Sequence, residues 1–270
     1  MKYIATESGR IIMGFWGTDV RSQFKDDKSV VTEADLKVKE FIMEKFLKEF
    51  PDVGLLTEET YEKDKNYRTR LSKGGVFIID ELDGSGDFKR KEEDFCFLCA
   101  YIVNGVPVIG VVYEPQKERM FYAEKGGKAF VTLKGDTSEL PQLMPVSWEK
   151  SRVGHPKNYK GDKYTRLYEM MGIPKERLMQ SGSMGTRMMQ VALQQTHIIL
   201  GYTRNLGEWD IAAGHVVLEA RGISVTDIYG NPLMYNKQNP RTETGLLVVH
   251  PDIKQVTLEK LAGCFGRLEM

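Results

Sequence analysis

Val76-Phe77-Ile78-Ile79-Asp80-Glu81-Leu82-Asp83-Gly84-Ser85-Gly86-Asp87-Phe88 begins as a buried strand and turns acidic within one residue. Its apolar run meets carboxylates at positions 80, 81 and 83, and a loop of small residues follows. In α/β proteins the loop beyond a strand end faces the crevice where ligands bind. Asp80 and Asp83 lie three apart across a tight loop, so both can converge on one cation, while Glu81 points elsewhere. A hard cation such as Mg²⁺ takes one or two carboxylates together with phosphate oxygens. Gly84-Ser85-Gly86 offers backbone N–H groups that can hold an anion. Carboxylates for a metal beside amides for a phosphate point to metal-assisted phosphoryl chemistry. On this segment alone, a solvated acidic turn is an equal reading.

Three other segments bear on the choice. GLLTEET (54–60) repeats the pattern of an apolar run ending in Glu58-Glu59. GEWDIAAGHVVLEARG (207–222) puts Asp210 at the start of an apolar helix, where an N-cap aspartate is the plain explanation. VVTEAD (30–35) sets Asp35 three residues after Thr32, which reads equally as a capping box with Asp in place of Glu.

The rest of the chain gives a mixed α/β pattern in two halves, 1–140 and 141–270. Val38, Phe41, Ile42 and Phe46 form one helical stripe within 32–50, capped at Thr32 and closed by Pro51. FCFLCAYIV and VPVIGVVYEP are strands joined by Asn104-Gly105, a strong hairpin signal, and RMFYAEKGGKAFV reads as a further strand. Residues 135–148 are the best linker. Helices near 184–195 and 210–221 and strands at THIILGYT and ISVTDI follow. Cys96 and Cys99 spell C-x-x-C inside a strand, where positions three apart face opposite ways, so they read as core thiols rather than metal ligands.

At 270 residues the chain buries a sizeable core, and 38 basic against 38 acidic residues leave no net charge. Nothing global therefore argues for nucleic acid or an anionic membrane. There is no apolar run long enough for a signal peptide or membrane span, and three cysteines fit a reducing compartment, so a cytoplasmic location is expected.

The motifs in this order resemble the inositol monophosphatase superfamily. Asp80-Glu81-Leu82-Asp83-Gly84-Ser85-Gly86-Asp87-Phe88 resembles its signature D-P-[IL]-D-G-[ST]-x-x-F, and Trp209-Asp210-Ile211-Ala212-Ala213-Gly214 its W-D-x-A-A-G. SVVTEAD, the TEE of 57–59, GVVYEP and GKAF fit its intervening elements, so the resemblance covers nearly the whole chain. It implies a layered αβαβα sandwich of the inositol monophosphatase and fructose-1,6-bisphosphatase type, with two or three Mg²⁺ ions between the halves. It assigns Glu58, Asp80, Asp83, Asp210 and the Leu82 carbonyl to the metals, and the Gly84 and Ser85 N–H groups to phosphate. Asp35 and Ser85, with Glu58, are implied as the catalytic residues that prepare the attacking water. Sensitivity to Li⁺ and a monomeric or homodimeric state are family expectations. Two positions depart from the pattern: Glu81 stands where the family has Pro, and Ser85 where Thr is commoner.

WDIAAGH with His215, SGSMG (181–185) and DFKRKEEDFCFLCAYI look most like the branch that hydrolyses 3′-phosphoadenosine 5′-phosphate. Lys89 and Arg90 are candidates for a second phosphate, and Ser183 and Tyr202 for the remainder of such a substrate. Inositol phosphate or fructose bisphosphate are the alternative small phosphate esters, and a non-catalytic binding relative is a third reading. His215 reads equally as a helix residue packed on a sheet, and His155, His197 and His250 show no ligand spacing.

Overall fold

The computed structural model describes residues 1–24, 30–61, 67–157, 162–201 and 206–265. In chain order they form α1 (Lys2–Phe15), β1 (Ser22–Phe24), β2 (Val30–Thr32), α2 (Glu33–Glu49), β3 (Gly54–Thr57), β4 (Gly75–Asp83), α3 (Ser85–Lys89), β5 (Cys96–Val103) and β6 (Val106–Glu114). Then come β7 (Arg119–Glu124), β8 (Ala129–Leu133), β9 (Asp136–Glu139), β10 (Val153–Pro156), α4 (Lys163–Met171), β11 (Leu178–Ser181) and α5 (Met184–Ala192). β12 (Ile198–Gly201), α6 (Glu208–Glu219), β13 (Ser224–Thr226), β14 (Leu246–Val249) and α7 (Lys254–Ala262) complete the chain.

Strands β3 to β9 pair in sequence order as a seven-stranded sheet, and β11-β10-β12-β14-β13 form a five-stranded one. Side-chain alternation sorts the core into layers. Ile79, Phe97, Cys99 and Val111 turn to one face of the larger sheet, against Ile4, Ile12, Val38 and Ile42 of α1 and α2. Their strand neighbours Ile78, Cys96, Leu98 and Val112 turn the other way, against Met188, Ala212, Val216 and Val217 of α5 and α6. Ile199, Leu246 and Val248 of the smaller sheet cover the same two helices from beyond. Ile198, Leu200, Leu247 and Val249 face outward to Tyr164, Leu167 and Leu261 of α4 and α7. The result is the αβαβα sandwich, with α5 and α6 enclosed between sheets. Enclosure explains why α6 is buried nearly all round rather than along one stripe. Gly110 admits it closely, since a Cβ there would fall 2.3 Å from the Ala213 carbonyl oxygen.

Cys96 and Cys99 do face opposite ways, one into each core, and Asn104 (φ 50°) and Gly105 (φ 79°) make the expected tight hairpin. Three expectations change. RMFYAEKGGKAFV is two strands, β7 and β8, because Gly126 at φ 74° reverses the chain. Gly135, at φ 94°, likewise turns β8 into β9, so irregular chain between the sheets begins only at Leu140. β4 extends to Asp83, so Asp80 and Asp83 lie on the strand rather than across a tight loop beyond it, with the pairing to β5 broken between them. No helix among the described residues is long and apolar enough to cross a membrane.

Candidate active site

The break in β4 decides the geometry. Skipping two residues in the ladder re-aims the strand end, and Asp80 and Asp83 then reach the first turn of α6. Oxygens of Asp80, Asp83 and Asp210 all lie within 4.8 Å of one another. Asp83 is also tied to the start of α5. Its Oδ2 accepts from the Gly185 N–H (2.5 Å) and the Ser183 hydroxyl (2.7 Å), and its Oδ1 from the Met184 N–H (3.3 Å). Asp210 accepts the Gly207 N–H at 2.5 Å, so it caps its helix and joins the cluster at once. Asp80 accepts the Leu82 N–H at 3.0 Å. Glu58 follows β3, its N–H bonded to the Ile79 carbonyl at 3.3 Å, and its charge bears on Asp80, Asp210 and Asp35.

Burial lifts the pKa of all three aspartates, well above the ordinary range for Asp80 and Asp210. Repulsion from Glu58, Asp83 and Asp210 adds to it at Asp80, and from Asp83 and Glu58 at Asp210. Arg187 lowers Asp83 and Arg241 lowers Asp210, but neither reverses the shift. Buried carboxylates that converge and repel are the donor set of a hard cation, and these residues fit Mg²⁺.

Beside them, the Ser85 hydroxyl lies 2.7 Å from Asp35 Oδ1 and 2.8 Å from the Leu82 carbonyl oxygen, two acceptors for one proton. Asp35 Oδ2 accepts from the Thr32 N–H (2.8 Å) and hydroxyl (2.5 Å). The capping and catalytic readings of Asp35 thus share one side chain, an oxygen to each. Burial raises Asp35 to about 7 against the opposing pull of those hydrogen bonds from Thr32 and Ser85. Gly84 turns the chain from β4 into α3 at φ 93°, and a Cβ would sit 2.4 Å from the Asp94 carbonyl oxygen. No other residue fits there.

The remaining candidates separate. Arg90 is paired with Asp87 and with Glu92 (3.1 Å), so binding a phosphate means exchanging one of them. The Lys89 ammonium lies over the Phe24 ring at 5.4 Å. Ser183 holds Asp83 and accepts the Thr186 N–H at 3.1 Å. Tyr202 falls outside the described residues. His215 bonds the Tyr235 hydroxyl at 2.7 Å inside the core.

Sequence reading missed Arg187. It is buried on α5, its Nε bonded to the Ser183 carbonyl at 3.3 Å, and its charge reaches Asp83, His155 and Tyr168. The visible signal was a single basic residue in the otherwise small and apolar SGSMGTRMM. It also missed Arg241, whose guanidinium lies 5.4 Å from the Trp209 ring and 5.7 Å from that of Tyr61, beside Asp210.

Glu81 is buried, and neither carboxylate oxygen meets a partner in good hydrogen-bond geometry. Burial, opposed by the nearby Thr57 hydroxyl and reinforced by repulsion from Glu59 and Glu58, lifts its pKa to about 8. A carboxyl group raised in the folded state costs stability as pH climbs from its unfolded value toward its folded one. Glu81→Pro is therefore expected to melt higher than the parent in chelator, with a wider gap at pH 8 than at pH 5. Position 81 lies in the break between β4 and β5, so the proline removes no bond of that ladder. Activity should persist; its loss would show that Glu81 is recruited by the cation.

Residues 2–263 match the model of the inositol monophosphatase family. The 3′(2′),5′-bisphosphate nucleotidase CysQ of Haemophilus influenzae is 28% identical over 245 residues, covering 87% of this chain and 86% of the relative. A fructose-1,6-bisphosphatase/inositol-1-monophosphatase of Thermotoga maritima is 27% identical over 264 residues, covering 96% and 94%. Among solved structures, the Thermotoga maritima IMPase superposes with a TM-score of 0.77 at 24% identity, over 98% of this chain and 96% of that one. An IMPase/NADP phosphatase complexed with Mg²⁺ and phosphate superposes with a TM-score of 0.75 at 20% identity, over 96% and 90%. The family and its relatives here are phosphatases. With its acidic centre assembled between the two sheets, this chain belongs to the inositol monophosphatase family and is a phosphatase.

Proposed function

We propose that the chain is a Mg²⁺-dependent phosphomonoesterase that hydrolyses 3′-phosphoadenosine 5′-phosphate to AMP and phosphate. Arg187 carries the choice of substrate. It is a buried cation, its Nε held on the Ser183 carbonyl, and its charge acts on Asp83, His155 and Tyr168. A second phosphate finds its counter-charge there. A single-phosphate sugar makes no use of it. The likeness to the CysQ nucleotidase supports this reading.

In this reading Asp80, Asp83, Asp210 and Glu58, with the Leu82 carbonyl, would hold Mg²⁺, which would supply counter-charge to the developing phosphoryl charge and lower the pKa of water. The N–H groups of Gly84 and Ser85 fix the phosphate. Asp35, through the Ser85 hydroxyl, orients the attacking water and takes its proton. A pKa of about 7 suits a general base near neutral pH. The water oxygen bonds to phosphorus, the bond to the 3′-oxygen breaks, and that oxygen takes a proton from solvent water while Asp35 returns its proton to solvent.

The test compares kcat/KM for 3′-phosphoadenosine 5′-phosphate, inositol 1-phosphate and fructose 1,6-bisphosphate. The nucleotide is expected to lead by one to two decades, about the worth of one charge-assisted contact. Arg187→Ala should narrow that lead chiefly through KM, because the contact is alike in ground and transition states. Arg90→Ala distinguishes the two cations: an equal effect would return the second phosphate to Arg90. A tenfold lead for either sugar phosphate overturns the nucleotide reading in favour of the substrates named for the Thermotoga relative.

A further inference from the structure

Behind the acidic centre, one turn of chain is gripped from both sides by buried charges. Arg70, 1% exposed, lies in the short 3₁₀ helix Tyr67–Ser72 on the way from β3 to β4. Its Nη1 donates to the Asn236 side-chain oxygen at 2.7 Å and its Nη2 to the Lys237 carbonyl at 2.8 Å. The Asn236 amide returns a contact to the Arg70 carbonyl at 3.5 Å. Glu208, also 1% exposed, takes the opposite groups of the same turn, accepting the Asn236 N–H at 2.6 Å and the Lys237 N–H at 3.1 Å. The Lys237 ammonium lies 3.8 Å from that carboxylate and donates to the Arg241 carbonyl at 3.1 Å. Backbone geometry is fitted to this grip. Asn236 is left-handed at φ 58°, and a Cβ at Gly54 would fall 2.8 Å from that of Arg70.

Burying a guanidinium and a carboxylate is costly unless each is bonded. Here the guanidinium draws the acceptors of residues 236–237 and the carboxylate draws their donors, so each strengthens the other's bonds through the turn. That line of bonds ends in the site. Glu208 opens α6, its N–H bonded to the Pro240 carbonyl at 2.8 Å, and the preceding Gly207 N–H is the one that Asp210 accepts. Arg70 thus fastens the chain leading into β4, which carries Asp80 and Asp83, to the chain that fixes the head of α6. A cation site tolerates little play, since its ligands must be held within about 0.5 Å of their working geometry.

We propose that Arg70 is a positioning residue for the cation: through residues 236–237 and Glu208 it holds the first turn of α6 so that Asp210 meets Asp80 and Asp83. The proposal rests on the Mg²⁺ assignment above. Its test is Mg²⁺ binding to the full chain without substrate, followed by calorimetry, with turnover measured in parallel. Arg70→Lys keeps the charge, loses the two-pronged contact, and should weaken Mg²⁺ about tenfold, the scale of a lost outer-shell support. Turnover at saturating Mg²⁺ should stay near the parent value, because the ion still seats. Glu208→Gln turns an amide nitrogen toward one of the two N–H donors and should weaken Mg²⁺ alike. Combining the two should cost little more than the worse single change, since both cut one line of bonds. Leu167→Ala, a truncation in the core under α4, should lower the melting temperature at least as much and leave Mg²⁺ affinity at the parent value. Should Arg70→Lys fold poorly, Asn236→Gly keeps the left-handed turn, removes one acceptor of Arg70, and should shift Mg²⁺ affinity in the same direction. Parent-like Mg²⁺ affinity in Arg70→Lys and Glu208→Gln, or a loss no greater than in Leu167→Ala, overturns this role for Arg70 while the metal assignment stands. A parent that binds no Mg²⁺ overturns the metal assignment itself, and the proposal with it.

Discussion

Asp83→Asn and Asp210→Asn are expected to lower turnover by at least about 10³-fold at millimolar Mg²⁺, each while retaining the fold. The size follows from the several kcal/mol of transition-state stabilisation that a bound cation supplies, which a site short of one charge holds poorly. The stability effect runs in the opposite direction. Asp210 is kept well above its ordinary pKa by burial and by Asp83 and Glu58. The amide removes that repulsion, so in chelator Asp210→Asn should melt above the parent at pH 8, and the difference should shrink toward pH 4. Asp83→Asn gains less, because the carboxylate also accepts from Gly185, Met184 and Ser183 at the start of α5. Turnover within tenfold of the parent at 1 mM Mg²⁺ in either variant would sink the ligand assignment.

Ser85→Ala and Asp35→Asn should each reduce kcat by roughly 10²–10⁴-fold with little change in KM, the scale of general-base assistance. The Ser85 N–H survives the first change, so the phosphate still docks. What is lost is the 2.7 Å contact between the hydroxyl and Asp35. The double variant should be hardly slower than the worse single one, since a pair acting as a unit is lost only once. Multiplicative losses would separate the two residues. Asp35→Asn carries a further cost, because its other oxygen holds the Thr32 end of α2, and an amide nitrogen placed there would face two donors. Melting curves with and without Mg²⁺ tell that structural loss from the catalytic one.

Much of this architecture was legible because local signals agreed with long-range ones. Residues 32–50 carried both a stripe and a cap, and α2 runs over Glu33–Glu49. Asn104-Gly105 fixed a hairpin by backbone sterics alone. Asp80 and Asp83 suggested a cation site by their spacing after an apolar run, with a solvated turn as an equal reading. Asp210, plainly explained as a helix cap, joined them only through the resemblance to the family signatures; the fold brings all three within 4.8 Å. α1 escaped notice, since its buried face includes Ser8 and Gly9, which break an apolar pattern; Gly9 is there because a Cβ would fall 2.3 Å from Tyr113. Arg187 escaped for a different reason. A lone arginine among methionines looks like surface until the fold encloses α5 between two sheets. Arg90 was the opposite case, prominent in sequence beside Lys89 and Lys91, yet paired in the fold with Asp87 and Glu92. Sequence proximity to the acidic signature indicated neighbourhood, while pairing depended on which carboxylates the chain brought back.

The seam between the sheets carries a further consequence. Asp80 and Asp83 come from one sheet, Asp210 from the helix that opens onto the other, and Asp83 is stitched to the head of α5. A cation seated there bonds elements more than a hundred residues apart, so it acts as a rivet in tertiary assembly as well as a reagent. Any ion that prefers the folded chain shifts the folding equilibrium by mass action, about 2.7 kcal/mol at a hundredfold excess over its dissociation constant. The melting temperature of this phosphatase should then climb with the logarithm of Mg²⁺ concentration, making cellular magnesium a determinant of how long the molecule survives as well as how fast it works.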